Sequence, residues 1–298
     1  MRTETKTIDI KDRFSDYFYK NLEFLNDGLP DYINNEREKA IQNFQALGIP
    51  HKKVEAYKYI DLHPAFKREY RTYIQHKPID FDLNDVFRCD VPELDTHVVL
   101  LLNGWFYEKK TPQKALPNGV IISSLREAAQ KYPELVRKHY NQYADSQREG
   151  LTALNTAFVQ DGVFLYVPKG QIMDKPVQII NLLMDEEDGM VQHRNLFIIE
   201  DSSEAGVIIC DHTLSGKSFL TNSVSEVYVG QNANLHSVRV QNEHNGSTQI
   251  SSVYLNQESD SNAMQDTITL HGGLVRNNYF NKLNGENCNN QTFGLYLS

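Results

Sequence analysis

The sequence predicts a mainly β protein: a right-handed parallel β-helix preceded by an N-terminal helical and mixed α/β region. Helical periodicity is confined to roughly the first half of the 298 residues. After about residue 155, strands alternate with polar turns. Those turns recur. With centres taken as Ser203, Gln231, Ser259 and Glu286, the gaps are 28, 28 and 27 residues. A β period in the twenties marks a solenoid or a propeller. The sequence carries neither a Trp-Asp blade signature nor a six-residue left-handed repeat. A right-handed parallel β-helix of about 28 residues per coil is therefore the expectation, with an accidentally periodic antiparallel sandwich as the competing arrangement. Asn, Asp and Gly at the corners supply the left-handed backbone such turns need.

The chain opens with Ile10, Phe14, Phe18, Leu22 and Leu25 at three- and four-residue spacing, one face of a helix. Gly28 and Pro30 interrupt it. A second helix carries Ile33, Ala40, Ile41, Phe44 and Leu47 and stops at Gly48, with Pro50 beyond. The stretch "HKKVEAYKYIDLHPAFKREYRTYI" is aromatic and basic with weak periodicity. From about residue 95 the pattern is mixed: "THVVLLLNGWFYE" reads as strand, Asn-Gly turn, strand. In "GVIISSLREAAQKYPELVRKHY" a strand feeds a helix. Ser124 and Glu127 have capping-box spacing there, and Pro133 suits the first turn of another helix. The expected organisation is a mainly helical region over 1–94, a mixed segment over 95–150 and the β-helix over 151–298.

Lys plus Arg number 30 against 39 Asp plus Glu, a formal net charge of −9. Bulk nucleic-acid binding needs the opposite sign, so no nucleic-acid partner is expected. Cys89, Cys210 and Cys288 are odd in number and far apart, which is not a disulfide framework. The N-terminus lacks an apolar core segment and a small-residue cleavage site, and no run approaches membrane-spanning length. A soluble, cytoplasmic protein without a membrane partner is the expectation.

The most tempting motif is "DHTLSGKS", Asp211 to Ser218, one Gly short of a phosphate-binding loop. Such a loop needs a helix after it, to present amides and dipole to the phosphates. Here "FLTNSVSEVYVG" follows, so the motif is read as a β-turn with a lysine. His193, His212, His236 and His271 fall in the repeat region near Cys210, without short ligand spacing. They are read as hydrogen-bonded or exposed histidines, Cys210 as a buried small hydrophobe, and Cys288 as the most accessible thiol. The acidic run Asp185, Glu186, Glu187 and Asp188 is read as a solvated loop. No nucleophile-elbow, dinucleotide or kinase motif is present.

Several segments, in order, resemble the SufB/SufD family of the SUF iron–sulfur cluster assembly system, and within it SufD. "HKKVEAYKYIDL" is similar to the family's E-x-W-[KR]-[YF]-T-x-L signature, with Tyr57 at the Trp position and Ile60 at the Thr position. "ALNTAFVQDGVFLYVPKGQIMDKPVQI" resembles the opening of the family's β-helix through Leu154-Asn155, Asp161-Gly162, Val167-Pro168, Gly170 and Pro176. "LHGGLVRNNYFNKLNGENCNNQTFGLYL" resembles the later repeat through Gly272-Gly273, Arg276, Asn284-Gly285 and Gly294-Leu295-Tyr296.

The resemblance implies a non-catalytic scaffold subunit acting with a SufB-like paralogue and a SufC-like ATPase. ATP hydrolysis there would rearrange the SufB–SufD pair. No tightly bound cofactor is implied, only a transient iron–sulfur cluster at the level of the complex. The resemblance runs out at Ser298 within the family's β-helix. A truncated SufD is therefore the expectation, lacking the ATPase-docking helices and the late β-helix residues tied to cluster formation. No catalytic residue is carried over, and cofactor-binding and metal residues are left unassigned. An open coil edge suits pairing with a related solenoid, or a homodimer through the same edge. The rival reading is a carbohydrate-active β-helix enzyme, a lyase or hydrolase, which would need charged clusters along one groove.

Overall fold

The polar corners of the C-terminal half set the architecture. In the computed structural model, which describes residues 9–76, 95–107, 114–116 and 118–297, four corner residues adopt positive φ: Ser202 (56°), Asn232 (57°), Asp260 (61°) and Asn287 (57°). Each lies one position from an expected turn centre. Asn and Asp tolerate this region through local hydrogen bonding of their short side chains. The corners stack as well: Asn232 donates to Ser202 Oγ at 3.3 Å and Asn287 to Asp260 Oδ1 at 2.9 Å.

Between corners the chain runs out along one sheet and back along another. One sheet carries β7 (Val177–Leu183), β10 (Glu204–Thr213), β12 (Asn234–Asn242), β14 (Asn262–His271) and β16 (Asn289–Tyr296). The other carries β6 (Val163–Val167), β8 (Gly189–Val191), β9 (Arg194–Ile199), β11 (Phe219–Val229), β13 (Thr248–Gln257) and β15 (Leu274–Leu283). Neighbouring coils pair in parallel throughout. This is a parallel β-solenoid of about five turns, and the antiparallel-sandwich alternative is excluded.

The first gap differs from expectation. Ser202 to Asn232 is 30 residues, followed by 28 and 27. Register locates the surplus. Seven residues separate His212 from Leu220, whereas five separate their rung partners Asn242 and Thr248. The two extra residues sit in the loop of "DHTLSGKS", where solvent accepts insertions without disturbing a rung.

The coil stack begins earlier in space than in sequence. β2 (His97–Leu102) pairs in parallel with β7, and turns at Asn103-Gly104 (φ 48° and 84°) into β3 (Trp105–Phe106), the expected hairpin. β5 (Ile121–Ser124) extends the other sheet antiparallel to β6, β4 (Lys114–Ala115) adds antiparallel to β5, and β1 (Arg71–Thr72) joins the same sheet beside β8.

Helices cover one sheet. The first apolar stripe breaks at Asn21 into α1 (Ile10–Lys20) and α2 (Leu22–Asn26); α3 (Asp31–Leu47) stops at Gly48, φ 68°. Phe14, Phe18, Leu25, Ala40, Ile41 and Phe44 bury together, while Leu47 is exposed. The basic aromatic stretch forms a 3-10 turn, Glu55–Tyr57, and α4 (His63–Lys67). Ser124 accepts from the Glu127 amide and starts α5 (Leu125–Lys131); Pro133 opens α6 (Pro133–His139).

One helix escaped sequence reasoning: α7 (Gly150–Phe158), "GLTALNTAF". All nine residues are buried, so no polar face marks a 3.6-residue period. Arg37, fully buried on α3, donates to the carbonyls of Ala157 (2.8 Å) and Val159 (2.6 Å) and caps its C-terminal end.

Candidate functional site: the polar interior of the coils

Strand alternation sends every second residue into the solenoid. Near the tight corners these are Val177, Ile179, Val207, Ile209, Val227, Val229 and Leu235, an aliphatic core. Towards the opposite loops the interior turns polar. Asn181, Asp211, Gln241 and Thr269 occupy one register row through four coils, and Arg239 lies in the next inward row.

Asp211 and Arg239 form the centre. Arg239 Nε donates to Asp211 Oδ2 at 2.7 Å and Nη2 to Oδ1 at 3.3 Å, and Asn181 Nδ2 donates to Oδ1 at 2.6 Å. Arg239 also donates to Ser251 Oγ on the facing sheet. Burial alone would raise the Asp211 carboxyl, but the guanidinium and the amide donors outweigh it and hold it below its ordinary range. Beyond this pair, Gln241 bonds Gln249 (2.9 Å), Asn277 (3.1 and 2.9 Å) and Thr269 (2.8 Å), crossing between the sheets.

Glu243 continues the lane, accepting from Thr213 Oγ1. Burial, then the Asp211 carboxylate, push its carboxyl up to about 7. His193, between β8 and β9, is buried, and burial with Arg239 nearby lowers its ring to about 4. It is neutral at physiological pH. None of these residues was singled out from sequence as a group. Their signal is a polar side chain recurring at an inward position every 28–30 residues, readable only once the register is known.

The other flagged residues scatter. His236 bonds Asp266 at 2.8 Å on the solvent side, His271 is exposed, and His212 is half-buried on the outer face. Among the described residues, no group of three or more His, Cys, Asp or Glu is placed to hold a metal ion. Cys210 is buried on the outer face, with Gln178 Nε2 3.9 Å from its sulfur. Cys288 is partly exposed and donates to the carbonyls of Glu258 (3.2 Å) and Gly285 (3.3 Å) in a corner turn. Cys89 lies outside the described residues.

Two flagged motifs resolve into framework. The residues after Asp211 leave β10, cross the long loop and enter β11, so "DHTLSGKS" is a strand end and turn, as expected. The acidic run is only half solvated. Glu186 and Glu187 are exposed, but Asp185 accepts from Tyr73 at 2.9 Å and Asp188 from the Ser218 amide at 2.9 Å.

The segments carrying the family resemblance do the same kind of work. Asn155 on α7 donates to the carbonyls of His193 (3.0 Å) and Asn222 (2.8 Å), stitching helix to ladder. Asp161 accepts from Ser124 Oγ (2.7 Å), Arg126 N (3.2 Å) and Phe106 N (3.2 Å). At Gly162 a Cβ would stand 1.8 Å from the Arg194 carbonyl oxygen, so only glycine fits. Arg276 lies over the Tyr57 ring at 4.0 Å, and Tyr57 donates to Glu149 at 3.3 Å.

The class defined by these features is a β-solenoid whose recognisable residues hold backbone to backbone, coil to coil and helix layer to sheet. The chain belongs to the SufBD family: residues 8–179 match the SufBD protein N-terminal region, and residues 182–298 match the SufBD core domain of SUF system FeS cluster assembly. Similar proteins include an iron–sulfur cluster assembly SufBD family protein of Synechocystis sp., 24% identical over 82% of this chain and 55% of that protein. SufD of Bacillus subtilis is 28% identical over 62% of this chain and 40% of its own length. A chloroplastic SufBD family protein of Arabidopsis thaliana is 30% identical over 47% of this chain and 25% of that protein. The chain thus spans about half, or less, of the length of these relatives. Family membership displaces the carbohydrate-active alternative.

Proposed function

We propose that the chain is a SufD-like scaffold subunit of the SUF machinery, acting in the cytoplasm in a complex with a SufB-like paralogue and a SufC-like ATPase. The observation that carries this is the coincidence of the SufBD core match, residues 182–298, with the parallel coil stack. The relatives' names supply the assembly role. SufD of B. subtilis among them supports the SufD branch.

In this reading the subunit is non-catalytic. Iron and sulfur are cargo, and the cluster is a transient product of the complex rather than a resident cofactor. Its contribution is a rigid body with parallel sheet edges, against which a related solenoid pairs main chain to main chain. Among the described residues no helix is long and apolar enough to cross a membrane. The test is co-purification of the full-length gene product with tagged SufB and SufC homologues from the same organism. A stable complex containing all three is the expected result. A chain that elutes alone, or only as a homodimer, overturns the assignment.

A further inference from the structure

One cavity inside the polar lane has lining atoms whose bonding is incomplete. His193, Asn181 and Thr221 all border it, together with Asp211 and Glu243. Both ring nitrogens of His193, Asn181 Oδ1 and Thr221 Oγ1 are buried and have no hydrogen-bond partner among the described residues. Orphaned buried polar atoms are rare in folded proteins, and a ring nitrogen, a hydroxyl and an amide oxygen from three residues around one space point to a common ligand. The space for a water-sized sphere is about 10 Å³, the room one water needs.

Charge decides what kind of ligand fits. Asp211 and Arg239 cancel each other at 2.7 Å. His193 is neutral, and Glu243 shares the lane as a carboxyl that resists ionisation. An anion would meet the Asp211 carboxylate on the cavity wall, and a cation would find that carboxylate already neutralised by Arg239. A neutral molecule with both donors and acceptors matches the walls: a neutral imidazole offers one N–H and one acceptor nitrogen, the threonine hydroxyl both, and the amide oxygen an acceptor.

We propose that this cavity is an integral hydration site, holding one water that joins His193, Thr221 and Asn181 and ties β7 and the turn between β8 and β9 to β11 of the next coil. The water takes the place of a direct side-chain bond at a point where interior rows leave polar atoms facing each other across a gap. This inference rests on the coil interior and stands whatever partners the subunit has.

The test is a high-resolution crystal structure of the full-length protein, with the long-lived waters counted in solution by oxygen-17 magnetic relaxation dispersion. A density peak within hydrogen-bond reach of Thr221 Oγ1 and the His193 ring is expected. The count should fall by one in His193→Phe, which keeps a ring but removes both nitrogens. Thr221→Val, which keeps the shape and removes the hydroxyl, serves the same comparison if the first variant fails to fold. A cavity closed by side-chain contact, or a water count unchanged in the folded variant, overturns the proposal.

Discussion

Arg194 and Glu226 form an ion pair of 2.7 Å, with both side chains completely buried between the coil stack and its helical cover. Arg194 belongs to β9 and Glu226 to the next coil's β11. The carboxylate also accepts the backbone amides of Asn141 (2.7 Å), Tyr143 (2.9 Å) and Ala144 (3.1 Å). Arg194 Nη1 reaches Thr156 on α7 at 2.8 Å. The pair thus fastens two coils, a loop and a helix at one point, with its hydrogen bonds largely satisfied internally.

Breaking one partner strands the other charge. Arg194→Met and Glu226→Ala should each destabilise by about 3–5 kcal/mol, while the double variant loses less than the sum. Urea unfolding of the four proteins of the cycle measures this. Strict additivity would mean the pair has no coupled role.

Glu243 gives a pH dependence with a definite sign. Its folded carboxyl is raised from 4.5 to about 7. The stabilisation from holding its proton is complete below the ordinary carboxylate range and is lost as pH rises through about 7. Glu243→Gln should therefore be more stable relative to wild type at about pH 8 than at about pH 5, by on the order of 2–3 kcal/mol. Thermal unfolding at both values checks it. An equal difference at the two pH values would show that Glu243 is not held protonated.

Gly162 and Gly216 predict opposite outcomes for one substitution. Gly162→Ala drives a methyl to 1.8 Å from the Arg194 carbonyl, whereas Gly216 has nothing within 4 Å. Gly162→Ala should cost several kcal/mol or prevent soluble expression, and Gly216→Ala should stay within about 0.5 kcal/mol of wild type. Expression yield and melting temperature distinguish them.

Tyr57 tests the link between the N-terminal signature and the coils. Tyr57→Ala empties a buried ring site and removes the platform under Arg276; about 3–5 kcal/mol is expected. Tyr57→Phe keeps the ring and loses only the hydroxyl's hydrogen bonding with Glu149 and Arg276, about 1–2 kcal/mol. A double-mutant cycle with Arg276→Met should show coupling of about 0.5–2 kcal/mol.

Much of the fold was legible because its causes are local. Left-handed corners favour Asn and Asp, so the polar turns located Ser202, Asn232, Asp260 and Asn287 to within one residue. Ser124, Pro133, Gly48 and the Asn103-Gly104 turn act through their own backbones, so their signals are legible in the sequence and match the structure. The fully buried α7 was missed because burial on every side erases the periodic signal. The sequence makes Asp185 look solvated, since nothing in "DEED" announces that Tyr73, 112 positions away, donates to it.

The candidate site belongs almost entirely to the tertiary level. The sequence alone determines that polar residues recur with the coil, that the corners are left-handed and that the early segments are helical, because propensity and periodicity are properties of neighbours along the chain. Only the register of the stack decides that Asn181, Asp211, Gln241 and Thr269 form one inward row. A one-residue slip in a strand exchanges its inner and outer faces. Asp211 is thus a buried partner of Arg239 rather than the start of a phosphate loop, because the register sets the two in adjacent inward rows of neighbouring coils, 2.7 Å apart, in an interior where an unpaired charge could not stay.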